Sequence, residues 1–145
     1  MKIKILSPYA KLPTRGSEYA AGYDLYACMD DWSEVTIYPG TTYKIGTGIA
    51  VQVPHGYFGG IYPRSGLATK QGLRLANSVG VLDEDYTGEV VVALHNDSDT
   101  PRTVVNGDRI AQLIIQPYES VEFEVVESLD ETARGEGGFG STGCR

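Results

Sequence analysis

No stretch of this chain carries an apolar repeat of helical period long enough for an ordinary amphipathic helix. Short runs of β-branched and aromatic residues alternate with turn residues from one end to the other. Residues 2–6 alternate polar and apolar and predict a first strand. Further extended segments are predicted at 23–28, 35–38, 41–53, 57–62, 73–82, 90–94, 103–105, 110–116 and 121–126. Pro39-Gly40, Pro54-His55-Gly56, residues 83–88 and 96–101, and Asn106-Gly107 supply the turns between them. Gly46 and Gly48 predict bulges inside their strand. Residues 90–94 are almost continuously apolar, as in a strand covered on both faces. In 121–126, Val121, Phe123 and Val125 point one way, Glu122 and Glu124 the other. Only 65–71 has room for one or two helical turns, with Ser65 as the cap and Gly72 as the stop. This pattern predicts one all-β domain, a sandwich, jelly roll or barrel, with no long linker and no internal repeat.

Charge narrows the partners. Asp and Glu number 19 against 12 Lys and Arg, for a net charge of -7. Such a surface repels polyanions, so neither nucleic acid nor an anionic membrane is expected as a partner. A small anion still binds where arginines, backbone N–H groups and a divalent cation converge. Cys28 and Cys144 form no disulfide framework and suit a reducing compartment. The N-terminal ten residues lack the apolar core of a signal peptide, and no apolar run approaches about 20 residues. An intracellular protein is expected, cytoplasmic or, from a eukaryotic or viral source, nuclear.

Four segments could carry chemistry. In 63–68, PRSGLA, Pro63 should end the preceding strand. Arg64, Ser65 and free N–H groups could then receive phosphate oxygens, or simply begin a helix with a surface arginine. In 80–89, GVLDEDYTGE, strand periodicity puts Asp83 on the same face as Val81. There it could act as a general base toward a water; the alternative is a solvent-facing turn. In 106–114, Arg109, Ala111 and Leu113 share one face, and Ile110, Gln112 and Ile114 the other. Gln112 needs a partner, either a backbone group or a ligand oxygen, and Asp108 and Arg109 could pair with each other. The tail 134–143, RGEGGFGSTG, holds five glycines and cannot form a regular element of its own. It could wrap phosphates with Arg134, Ser141 and Thr142 and stack Phe139 on a flat ring, or remain a free terminus. His55, His95 and the cysteines are too scattered to suggest zinc.

Taken in order, AGYDLYA (21–27), PRSGLA (63–68), the stretch from Asn77 to Glu89, GDRIAQLI (107–114) and RGEGGFGSTG (134–143) resemble the homotrimeric dUTP pyrophosphatase (dUTPase) family. The likeness implies an all-β, distorted jelly-roll or β-clip type barrel assembling as a homotrimer. Residues 1–133 would form the domain, and 134–145 a flexible arm closing over a neighbour's site. It implies Mg²⁺-dependent hydrolysis of dUTP at the α-phosphorus, giving dUMP and pyrophosphate. Such an activity limits uracil incorporation into DNA and supplies dUMP for thymidylate synthesis. By the same resemblance, Asp83 is the general base. Asn77, with backbone groups of Gly80 and Val81, reads uracil, and Tyr86 lies under the deoxyribose. Arg64, Ser65, Gly66 and Gln112 bind phosphates. Arg134 clamps the γ-phosphate, Phe139 covers uracil, and Gly140, Ser141 and Thr142 hold the terminal phosphates. Asp24 holds the metal through water. Ala27 stands where many members carry Ser. The rival readings are a dCTP deaminase, which needs a glutamate-centred site, and a nucleotide-binding protein without turnover.

Overall fold

The computed structural model describes residues 1–29 and 33–138. Eleven strands and one short helix are ordered along the chain: β1 (Lys2–Ile5), β2 (Thr14–Arg15), β3 (Tyr23–Tyr26), β4 (Glu34–Ile37), β5 (Thr42–Gln52), β6 (Tyr57–Tyr62), α1 (Ser65–Gln71), β7 (Leu73–Leu75), β8 (Gly80–Leu82), β9 (Glu89–Asn96), β10 (Arg102–Val105) and β11 (Arg109–Pro117). No helix among them is long and apolar enough to cross a membrane.

The strands form three antiparallel sheets with orders β1-β5-β9-β7, β2-β3-β11-β6-β8 and β10-β4. All three are open, which corrects the expected barrel. A barrel needs a ladder continuous around its circumference. Here the outer strands β2, β7 and β8 have only two or three residues, and the ladder lapses before opposite edges could meet. The sheets instead share one core. Leu25, Ile61, Leu82, Ala111 and Leu113 enter it from the five-stranded sheet. Ile45, Ile49, Val51, Leu75, Val92 and Leu94 enter from the four-stranded sheet, and Ile37 and Val104 from the third. Burying such side chains stabilises the fold by roughly 1.5–3 kcal/mol each, before the entropy of ordering them is subtracted.

Local chemistry explains most element ends. Gly72, at φ 69°, closes α1 in the left-handed conformation. The helix begins differently from expectation: its N-cap is Arg64, with no capping side-chain hydrogen bond, and Ser65 is the first helical residue. The β5–β9 register slips between Gly46 and Ala50, so the glycines do mark a bulge. A Cβ on Gly48 would sit 2.5 Å from Cys28 Sγ.

Three other segments depart from their periodicity. Residues 73–82 are not one strand; β7 and β8 lie in different sheets. The turn between them carries Ser78 at φ 60°. In β9, Val90 and Val92 are buried but Val91 is 42 % exposed, so that strand is covered on one face within the chain. Residues 121–126 form no strand. Phe123 and Val125 are 94 % and 97 % exposed, because no sheet edge of this chain lies alongside to pair them.

Asn96 is fully buried and bonds the sheets together. Its Nδ2 donates to the Ile37 and Thr100 carbonyls, each at 2.8 Å, and its Oδ1 accepts from Ser98 N–H and Oγ. Asn96→Ala would take the donor from the buried Ile37 carbonyl and the acceptor from the Ser98 N–H. We expect a loss of at least about 2 kcal/mol, read from the urea midpoint at unchanged m-value.

Candidate active site

Register across the five-stranded sheet aligns the first group of polar side chains. On β11, Gln112 stands opposite Asp24 of β3 and opposite Tyr62 of β6. Cross-strand partners project from the same face, so Asp24 and Gln112 share a row at one end of the sheet. The chain leaves β6 at Tyr62, as Pro63 requires. Arg64 then folds back over that row. Its Nε donates to Asp24 Oδ1 at 2.9 Å and its Nη1 to the Arg109 carbonyl at 3.3 Å. Arg109 Nη1 donates to the other carboxylate oxygen of Asp24 at 3.3 Å. Gln112 Nε2 donates to the Pro63 carbonyl at 3.0 Å. The Gln112 side chain lies flat on Gly22, where an added Cβ would meet its Oε1 at 2.4 Å. Ser65 and Gly66 are exposed at the rim. These residues, with Gly16 and Ala20, line a cleft of about 220 Å³.

A bulge in β11 makes this row possible. The register against β3 shifts between Arg109 and Ala111, and both Ile110 and Ala111 are buried. Simple alternation, which put Ile110 on the face of Gln112, therefore fails at that point. Arg109 pairs with Asp24 rather than with Asp108, whose Oδ2 accepts the Val105 N–H. Two guanidinium groups on one carboxylate leave a local surplus of positive charge in an otherwise acidic chain. That surplus suits a phosphate.

The second group lies along and after β8, which pairs β6 with Gly80 opposite Ile61 and Leu82 opposite Gly59. In β8, Gly80 and Leu82 face inward and Val81 outward. Val81, Asp83, Glu84, Asp85, Phe58 and Tyr118 line a cleft of about 630 Å³. Asn77 lies beside Gly80, whose added Cβ would come within 3.3 Å of Asn77 Nδ2. The Tyr86 hydroxyl donates to the Glu89 carbonyl at 2.9 Å. The Tyr86 ring rests on Gly88, where a Cβ would fall 2.7 Å from Cζ. Hydrogen bonds from His55, then from the Gly56 N–H, hold the Glu84 carboxyl below its ordinary range. Burial, then the Glu84 charge, pushes the Tyr118 phenol up.

The chain thus brings Asp24, Arg64, Ser65, Gly66 and Gln112 together in one cleft and Val81 with Asp83 in another; Asn77 beside Gly80, and Tyr86 on Gly88, stand on the same stretch of chain but are not gathered around Asp83. Tyr62 borders the first cleft and Phe58 the Asp83 cleft, four residue steps or about 13 Å apart along β6. Arg134 joins neither; its Nε donates to the Gly137 carbonyl in a local turn. Phe139, Gly140, Ser141, Thr142 and Cys144 lie outside the described residues.

The pattern of the dUTPase family matches residues 8–143. The chain belongs to the dUTPase family. A deoxyuridine 5′-triphosphate nucleotidohydrolase of Syntrophotalea carbinolica is 49% identical over 143 residues, covering 99% of this chain and 96% of that protein. Among solved structures, the dUTPase of Staphylococcus bacteriophage 80alpha with dUPNHPP superposes with a TM-score of 0.84 at 30% identity, over 98% of this chain and 97% of that one. A variant dUTPase of phage phi11, described for its coordination of a structural Mg(II) ion, superposes with a TM-score of 0.75 at 28% identity, over 88% of this chain and 96% of that one.

Sequence reasoning singles out neither Phe58 nor Tyr118, which line the second cleft, nor Gly88, which seats a dUTPase tyrosine. Phe58 and Tyr118 sit in ordinary strand and post-strand contexts and carry no local signal. The only signal at Gly88 is its place two residues after Tyr86. Among the described residues, no group of three or more His, Cys, Asp and Glu side chains is placed to hold a metal ion by itself.

Proposed function

We propose that this chain hydrolyses dUTP to dUMP and pyrophosphate, in sites shared between copies of itself. The single observation that carries the activity is the dUTPase match over residues 8–143. The geometry supplies the parts. Arg64, Ser65 and Gly66 bind phosphates in the cleft that Arg109 and Asp24 pre-charge, with Gln112 close by. Asp83 accepts a proton from the water that attacks the α-phosphorus, so the leaving group is pyrophosphate. Asn77 and the backbone of Gly80 and Val81 read the uracil edge. A cytosine would reverse donor and acceptor there and leave buried groups unpaired. Tyr86 packs under the deoxyribose and leaves no space for a 2′-hydroxyl.

Magnesium fits the donor set. Each Asp24 oxygen accepts one arginine hydrogen bond and so retains a lone pair for a metal-bound water. A lone carboxylate with substrate phosphates and waters is a usual Mg²⁺ arrangement, whereas no all-protein cage is present among the described residues. When bound, the ion supplies charge neutralisation across the triphosphate.

Two features support a homotrimer. Asp83 has to reach the α-phosphorus held beside Arg64 and Ser65, yet on one chain its cleft lies about 13 Å from theirs, so the two would be brought together from different subunits. Val121, Phe123 and Val125 present an apolar stripe that this chain leaves uncovered. Residues 1–133 form the domain and 134–145 the arm, whose Arg134, Phe139, Gly140, Ser141 and Thr142 close on a neighbour's nucleotide.

Pyrophosphate release across dUTP, UTP, dTTP and dCTP, with and without Mg²⁺, tests the reading. Release from dUTP should exceed the others by about 100-fold or more and collapse on chelation. Ammonia release from dCTP would instead identify a deaminase, and tight dUTP binding without turnover a sensor.

A further inference from the structure

Glu84 makes contacts that the reaction, as described, does not use. The β8–β6 ladder ends with Leu82 opposite Gly59. Beyond it the chain turns, with Tyr86 N–H donating to the Asp83 carbonyl at 3.1 Å. Where backbone pairing stops, the Glu84 side chain reaches the turn between β5 and β6. Its Oε2 accepts the Gly56 N–H at 2.7 Å, and its Oε1 lies 3.0 Å from His55 Nδ1. Asp83 therefore sits between the last backbone rung on one side and a side-chain rung on the other. Without the second rung, the turn carrying Asp83 would be held only by the ladder before it and by its own Tyr86 N–H bond, with nothing fixing it to the β5–β6 turn.

We propose that Glu84 is a positioning residue for Asp83, tying the turn that carries it to the backbone of Gly56. The inference rests on Asp83 being the general base. Both Glu84 oxygens are engaged, so the carboxylate cannot rotate freely, and a charged acceptor on a backbone N–H makes a strong tether. The Gly56 bond matters more than the His55 one, because the His55 side chain is 95% exposed and water competes for it. The other ionisable groups around Glu84 are Asp83 and Asp85 on its own turn and Tyr118 after β11. The Glu84 carboxyl is held below its ordinary range by His55 and Gly56, so the tether stays ionised at neutral pH.

Displacing a reacting group by an ångström costs on the order of 10²-fold in rate, so Glu84→Ala should lower kcat by about 10- to 100-fold with KM for dUTP within about threefold. The Gly56 amide should exchange faster with deuterium in the same variant. Glu84→Gln keeps one oxygen for the Gly56 N–H and should recover kcat to within about fivefold of the parent. In an Asp83→Asn background, Glu84→Ala should lower kcat no further. An unchanged kcat in Glu84→Ala, or an equal further loss in the Asp83→Asn background, would overturn the tether. If Glu84→Ala does not fold, Glu84→Gln decides: a protected Gly56 amide with kcat down about tenfold refutes the tether, and near-parental kcat supports it. A fully active Asp83→Asn single variant would remove the base itself, a failure separable from that of the tether.

Discussion

Asp83→Asn should bind dUTP with near-parental affinity and lose about 10²–10⁴-fold in kcat. The side chain follows Val81 by two residues and lines the same cleft, so the position is exposed to a nucleotide rather than buried in the core. Asparagine keeps the shape and loses the basicity, which isolates proton transfer from packing. An attacking water with no acceptor for its proton must lose it to bulk solvent, and the rate advantage of a well-placed base over solvent sets the size of the loss. Melting temperature should hardly move, because among the described residues Asp83 has no side-chain hydrogen bond or ion pair that holds the fold. Single-turnover kinetics with a separate binding measurement checks both halves. Near-normal kcat in this variant would sink the mechanism.

Truncation before Arg134 should leave a folded trimer and lower kcat/KM by about 100-fold or more. Ordering ten residues over a substrate costs about 10–20 kcal/mol by the upper range for free chain, against roughly 1–3 kcal/mol from stacking one phenylalanine. Stacking alone cannot close such an arm. Charged contacts from Arg134 and hydroxyl hydrogen bonds from Ser141 and Thr142 to the phosphates would have to make up the difference, so the arm should matter most with a full triphosphate. Activity and light scattering on the truncated chain check the two parts. Full activity without residues 134–145 would refute the role of the arm. Affinities for dUTP and dUDP, compared between the full and truncated chains, should show the larger loss for dUTP.

Much of the scaffold is legible because strands and turns announce themselves locally. Pro63 ends β6 because proline constrains the residue before it, and Gly72 stops α1 because glycine alone adopts its φ without strain. Arg64 and Asp83 are visible as polar groups just past strand ends, Ser65 at the start of the one short helix and Gln112 as a polar residue within an apolar strand. Other readings fail where a decision depends on a distant segment. The 73–82 run is extended on both sides of Ser78, but local pattern does not say that its halves join different sheets. The apolar run in β9 does not reveal that its outer face lacks cover within the chain. Nor does the alternation in 121–126 supply an edge to pair with.

What the amino-acid order determined by itself was the mostly β class, most turn positions but not the one at Ser78, the chemical types at the site and membership of the dUTPase family. Only the tertiary structure decided that the sheets stay open, that Arg109 shares Asp24 with Arg64, that Glu84 reaches Gly56, and that the phosphate cleft stands apart from Asp83. The reason is physical. Periodicity and turn chemistry act within a few residues, whereas register, bulges and ion pairs depend on which strands meet, and residues 24, 64 and 109 become neighbours only when β3, β6 and β11 align.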